Sequence, residues 1–139
     1  MKPIIQQLLK EVETGRQDIK LSCLTDIGDY IEHPYPHEDG YVEVVQQLII
    51  LLSKETNYEV MKLLVRNIER AYLQQINLSD INFEPVTGIL NNTDSYFIRS
   101  VLYLLSMTYN REYIPLVEQH LNHPDEEVRK EAQYILDTW

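Results

Sequence analysis

The sequence predicts an all-α fold built from about four helix pairs. Three observations carry that prediction. Apolar residues recur at helical spacing almost throughout the 139 residues, and no stretch alternates with period two long enough to form a strand. The 4 glycines and 6 prolines are too few to punctuate a turn-rich β-sandwich. A hydrophobic fraction of 44% argues against disorder. The length suits one domain over residues 1–139, in which folding buries about 68% of the extended surface without disulfide or metal staples.

The first helix starts at Pro3, carries Ile4, Ile5, Leu8, Leu9 and Val12 at helical spacing, and stops at Gly15. The second follows Asp18, with Ile19, Leu21, Cys23, Leu24, Ile27 and Ile31, and ends before His33-Pro34-Tyr35-Pro36 because proline disfavours helix in the residue before it. A third runs from about Tyr41 to Lys54. Thr56 and Asn57 then offer capping groups for a fourth, from about Tyr58 to Gln75. After a break at Asn77 to Asp80, a short helix is expected around Phe83 to Leu90, with Pro85 in its first turn. Asn91-Asn92-Thr93-Asp94 forms a turn and N-cap cluster that opens an apolar helix from Ser95 to Tyr109. The last pair is Glu112 to Asn122 and Glu126 to Asp137, joined by His123-Pro124-Asp125.

The second helices of the four pairs align. Ile19, Val60, Ile98 and Val128 share one position; four residues on stand Cys23, Leu64, Leu102 and Ala132, and eight on stand Ile27, Ile68, Ser106 and Leu136. Leu21, Lys62, Ser100 and Lys130, two residues on, are mostly polar and predicted to face solvent. Each pair has an apolar face that it cannot bury alone, so neighbouring pairs must stack. The loose spacing of the pivots requires a shortened first helix in the last pair.

The last pair, Tyr113 to Leu136, resembles a HEAT repeat: Pro115 in the first helix, Asp125 in the turn, then Val128-Arg129 and a small residue, Ala132. The third pair keeps Pro85, Asp94 and Ile98-Arg99, with Leu102 in place of the small residue; the first two keep mainly the apolar columns. The HEAT/armadillo resemblance implies a short right-handed α-solenoid of about four HEAT-like helix pairs. It also implies a structural part for Arg129, reaching a carboxylate of a neighbouring turn.

Charge narrows the partners. With 12 Lys+Arg against 22 Asp+Glu the net charge is −10, which repels phosphate backbones and anionic membranes and attracts basic proteins. Neither direct nucleic-acid binding nor membrane association is expected. The longest apolar run, Leu48 to Leu52, is far short of the ~20 residues that span a bilayer. No export signal is recognisable at the amino end, so a cytoplasmic location is expected.

The acidic residues cluster. Between Lys20 and Lys54 there is no Lys or Arg, yet Asp26, Asp29, Glu32, Glu38, Asp39 and Glu43 all fall there, and Tyr35 and Tyr41 flank the loop acids. This pattern fits either a solvated face or a docking site for Lys/Arg groups, in which tyrosines supply rigid contact area. Tyr103 and Tyr134, on polar positions of adjacent second helices, are placed to line the inner surface of a solenoid. These ten residues are the partner-binding candidates.

Enzyme chemistry finds little footing. There is no nucleophile elbow and no phosphate-cradling glycine loop, and the single cysteine, Cys23, falls in an apolar column. His33 and His37 stand beside Glu32, Glu38 and Asp39, but two prolines separate them, unlike the i, i+4 pair of a zinc helix. His120 and His123 are expected at the surface or as turn caps. No cofactor, no metal and no catalytic residue is expected.

In size and charge the chain is similar to bacterial immunity proteins of the contact-dependent growth inhibition type. That resemblance implies a basic, nuclease-type toxin as partner. A HEAT-type adaptor in a larger complex, or a HEAT-repeat enzyme accessory protein, is the alternative. The expected outcome of chelator treatment is an unchanged melting temperature; a clear drop would assign a metal to the His33/His37 cluster.

Overall fold

Helix signals in the sequence become helices at nearly the expected places. The computed structural model describes residues 1–32, 40–74, 80–92 and 94–139, without the side chain of Asn92, and every regular element among them is helical. The fold is all-α. The chain divides into two compact units, Met1–Pro85 and Val86–Trp139.

In the first unit, α1 (Pro3–Thr14) opens on proline, whose missing N–H lies where a helix has no acceptor for it. α2 is Gln17–Ile31, α3 is Tyr41–Lys54 and α4 is Tyr58–Leu73. The Asn57 side chain caps α4 by accepting from the Val60 N–H at 3.1 Å. Gly40 precedes α3 at φ 89°, a conformation suited to glycine, and the backbone of Met1 occupies the space a side chain there would need. α1 packs on α2, α3 on α4, α2 on α4 and α1 on α3. Two helix pairs thus lie side by side, with Leu24, Ile27, Ile31, Leu48, Ile49, Leu52, Leu64 and Ile68 fully buried.

α2 and α4 approach closely at Gly28 of α2. A methyl group there would lie 2.7 Å from Arg70 Nη1 and 2.8 Å from Asn67 Oδ1 of α4. Asn67 is fully buried, and its Nδ2 donates to the Leu24 carbonyl at 2.8 Å. Arg70 donates to Asn67 Oδ1 at 3.4 Å and pairs through Nε with Glu32 Oε1 at 3.1 Å. A hydrogen-bonded chain therefore crosses from the core to the surface.

α5 (Glu84–Thr87) spans the division between the units. The second unit continues with α6 (Ile89–Asn92), α7 (Ser95–Ser106), a 3-10 turn (Arg111–Tyr113), α8 (Ile114–Glu118) and α9 (Glu126–Thr138). α6 packs on α7, α8 on α9 and α7 on α9. Asp94 caps α7 through the Phe97 N–H at 3.2 Å, as the turn cluster predicts. Asp125 caps α9 through the Glu127 N–H at 2.8 Å.

Three differences from the expected boundaries have local causes. The short helix around Phe83 to Leu90 is two helices broken at Gly88, the poorest helix former in the stretch apart from Pro85, and α6 runs on through Asn91. α7 ends at Ser106 rather than Tyr109: the Met107 and Thr108 N–H groups tighten to the Leu104 and Leu105 carbonyls, three residues back, and Tyr109 leaves helical geometry at φ 51°. α8 has five residues, the shortening that the pivot spacing requires. The apolar columns hold in both units. Cys23, Leu64, Leu102 and Ala132 are all buried, as are Val60, Ile98 and Val128 at the first position, while Ile19 is half-buried.

Replacing Asn67 by alanine removes its bond to the Leu24 carbonyl and empties a fully buried site between α2 and α4, and should cost about 1–3 kcal/mol of stability in urea unfolding. Gly28→Ala should cost about 1–3 kcal/mol by overpacking, because Asn67 has no room to retreat.

Candidate functional site

The acidic candidates gather where α2 ends and α3 begins. Asp26, Asp29 and Glu32 are exposed on the last turns of α2, and Glu43 is exposed in the first turn of α3. Carboxylates at a helix C-terminus oppose the helix dipole, at roughly 0.3–1 kcal/mol each, and α2 has no basic residue in its last turn. Among the described residues, Asp26, Asp29 and Glu43 have no ion-pair partner. Glu32 does: the Arg70 pair shows that the gap in cations along the sequence is partly filled in space by α4. Tyr35, Glu38 and Asp39, with His33 and His37, lie outside the described residues.

Tyr41 requires a correction. Expected as a contact residue at the loop edge, it is 3% exposed, and its hydroxyl donates to the Ile31 carbonyl at 3.3 Å. Its ring lies 6.1 Å from that of Tyr30. Burial, helped by Tyr30, pushes its hydroxyl pKa up to about 12, so it is a neutral donor at physiological pH. The reason is register: Tyr41, Val44, Val45 and Leu48 form one apolar stripe of α3, all buried. Tyr41 fixes the start of α3 against the end of α2 and leaves little ring for a partner.

The tyrosine candidates on α7 and α9 are exposed, Tyr103 at 41% and Tyr134 at 64%. Two contacts set these helices side by side in parallel. At their N-terminal ends the Ser95 hydroxyl and then the Glu127 N–H hold the Asp125 carboxyl below its usual range. At their C-terminal ends Trp139 Nε1 donates to the Ser106 carbonyl at 3.3 Å. Between them burial pushes the Glu131 carboxyl up and the nearby Arg99 guanidinium draws it back. Arg99 stands between Tyr96 and Tyr103 on one stripe of α7, and Glu131 precedes Tyr134 by three residues on α9.

Sequence reasoning passes over one exposed tyrosine here, Tyr96, and expects another, Tyr109, to pack near a core column, which its exposure corrects. Tyr96 shares the stripe of Tyr103, a spacing of seven that the sequence displays. Tyr109, 73% exposed, has φ 51°, a backbone conformation that no sequence pattern announces for tyrosine.

His120 is the second correction. It is 5% exposed, with Nδ1 2.9 Å from the Leu116 carbonyl and Nε2 3.0 Å from that of Leu90. A neutral imidazole has one N–H and serves one of these oxygens; only the imidazolium serves both. His123 keeps the expected capping part, its Nδ1 accepting from the Asp125 N–H at 3.0 Å. Arg129 is the third. Its Nη1 donates to the His123 and Pro124 carbonyls at 2.7 and 3.0 Å, so it ties down its own turn rather than a carboxylate.

Cys23 is buried, and burial, then the charges of Glu11 and Asp26, raise its thiol pKa and weaken it as a nucleophile. Among the described residues no three His, Cys, Asp or Glu side chains converge to hold a metal, and no helix is long and apolar enough to cross a membrane. A cleft of about 250 Å³ opens between α1 and α3, floored by Leu9 and Leu51 and rimmed by Gln6, Lys10, Glu13 and Gln47.

Comparison with known families, curated proteins and solved structures gave no match. Residues and geometry alone therefore bear on the function.

Glu55, in the turn after α3, is a well-satisfied carboxylate of the first unit. Burial alone would raise its pKa. Lys20 Nζ at 2.9 Å and the N–H groups of Asn57 and Thr56 outweigh burial and hold it below the ordinary value. A depressed folded-state pKa contributes stability that is complete above the unfolded pKa and is lost as pH falls through the folded one. Glu55→Gln should therefore destabilise the protein at neutral pH, and the difference should shrink on acidification through about pH 4. Melting curves across that range check it.

Proposed function

We propose that this chain is a protein-binding module, an immunity or inhibitor protein that neutralises a basic, nuclease-type toxin by covering its active site. The observation that carries the reading is the carboxylate surface at the end of α2. Asp26 and Asp29 stay exposed and without an ion pair among the described residues, and Asp29 stands in the last turn, where the helix dipole already makes negative charge unfavourable. Folding gains nothing from that placement. A cationic partner does, because it meets two carboxylates, the carbonyl end of α2 and Glu43 together.

The mechanism is steering followed by occlusion. Opposite net charges raise association by about 10–10³-fold at low salt, and carboxylates at the surface then pair with the Lys and Arg groups that a nuclease uses to hold its substrate. No cofactor and no chemical step is involved. The partner protein supplies the only active site, and this chain denies access to it.

The test measures binding kinetics against a basic nuclease domain, taken from the reading frame beside this one, at two salt concentrations. Reversing Asp26, Asp29 and Glu43 together should weaken the complex by about 2–5 kcal/mol if any one of them is desolvated in it. It should also flatten the salt dependence of association. Reversing the exposed Glu59, Glu84 and Glu118 changes the net charge equally and should have far less effect. Equal losses from both sets would reduce the acidic surface to a solvated face. Melting curves confirm that each variant is folded.

A further inference from the structure

Unit two, from Val86 to Trp139, buries a histidine between two acceptors. His120 lies in the turn after α8, with Nδ1 2.9 Å from the Leu116 carbonyl and Nε2 3.0 Å from the Leu90 carbonyl of α6. Both are hydrogen-bond distances. The backbone leaves the Leu116 oxygen to the ring. In a continued helix the His120 N–H would bond it, but that N–H turns to the Val117 carbonyl at 3.0 Å. An imidazole with one proton therefore sets a bare nitrogen against a carbonyl oxygen at one of the two contacts, lone pair to lone pair. A second proton turns that contact into a charge-assisted bond.

The charged groups around the site leave that proton to His120. The His123 ring stacks on it with centroids 6.2 Å apart. Because His123 Nδ1 accepts from the Asp125 N–H at 3.0 Å, that nitrogen carries no proton while the turn is closed, and His123 stays uncharged. The Asp125 carboxyl, held below its usual range by the Ser95 hydroxyl and the Glu127 N–H, stays ionised. Arg129, the like charge at the turn, is committed to the His123 and Pro124 carbonyls. Glu118 of α8 is exposed, and α6 brings no titratable side chain. On the helices packed behind them, Arg99 of α7 stands beside Glu131 of α9, and Lys130 lies 3.5 Å from both Glu126 and Glu127.

We infer that His120 is a proton-linked latch: acidification across the imidazole range gives it a second N–H, which ties α6 to α8 through the Leu90 and Leu116 carbonyls at once. The neutral ring holds only one of the two. Desolvation of the cation opposes the step, and two charge-assisted bonds in place of one neutral bond offset it. Stability carried by that proton is present below the imidazole range, about 6.5 in unperturbed histidine, and is lost as pH rises through it. The direction is opposite to that of Glu55, whose contribution fades on acidification. The carboxylates of α2 belong to the other unit, so the latch does not depend on the proposed partner.

The test uses the full chain with nitrogen-15-labelled histidine, titrated in NMR from about pH 7.5 to about pH 5.5, either side of the ordinary imidazole value. His120 should show one ring N–H at the upper end and two slowly exchanging ring N–H protons at the lower end, while His123 keeps a bare Nδ1 throughout. Melting curves over the same interval compare the unaltered chain with His120→Gln, whose amide does not titrate there. On acidification the unaltered chain should gain about 2–5 °C relative to the variant. His123→Gln should follow the pH dependence of the unaltered chain.

A His120 ring that still carries one N–H at the lower pH in the folded chain would overturn the inference. So would a melting difference that stays flat or shrinks on acidification. If His120→Gln does not fold, the ring signals of the unaltered chain decide alone. Loss of the gain in His123→Gln would move the proton to His123 and overturn its assignment to His120.

Discussion

The first unit depends on how closely α2 and α4 approach at Gly28. Because no side chain stands there, Asn67 fits between the helices and satisfies the Leu24 carbonyl from a fully buried position. A buried amide left half-paired would cost about as much as a typical destabilising mutation, so the contact selects one register of α4 along α2. That register places Arg70 within reach of Glu32. The charge pattern of the surface is therefore settled in the core: the same register that buries Asn67 decides which of the α2 carboxylates is neutralised and which are left open.

Much of this was legible in the sequence, because helical periodicity and caps act locally. Asn57, Asp94 and Asp125 cap the helices they precede, and the buried columns through Cys23, Leu64, Leu102 and Ala132 follow from spacing alone. What was missed depends on residues distant in the chain. The cation-free stretch from Lys20 to Lys54 looks unrelieved until α4 brings Arg70 across. Tyr41 reads as a loop edge until its stripe with Val44, Val45 and Leu48 is closed against α2. His120 reads as a surface residue until α6, thirty residues earlier, supplies the Leu90 carbonyl. The φ of Tyr109 leaves no trace in composition or periodicity.

Local preference and observed structure disagree at few places in this chain, and the disagreements are informative. Natural sequences are largely consistent across levels, so a residue that violates a local rule without a visible gain marks a demand other than folding. Asp29 in the last turn of α2 is one violation; an exposed tyrosine in a left-handed backbone conformation is another. Glu55 shows the contrast. Its burial is unfavourable in isolation, but Lys20 and two backbone N–H groups compensate within the fold. It needs no partner to explain it.

The helix ends differ in how their dipoles are met. α3 and α4 end with Lys54 and Arg70 in their last turns, as the helix dipole favours. α2, α7 and α9 carry no basic residue there. Donors distant in the sequence serve these ends instead: Arg70 of α4 pairs with Glu32 after α2, Trp139 Nε1 donates to the Ser106 carbonyl at the end of α7, and Arg111 Nη1 donates to the Trp139 carbonyl after α9 at 3.5 Å. Tertiary contacts thus supply what the last turns of these helices do not, and Asp29, in the last turn of α2, is left without an ion pair among the described residues.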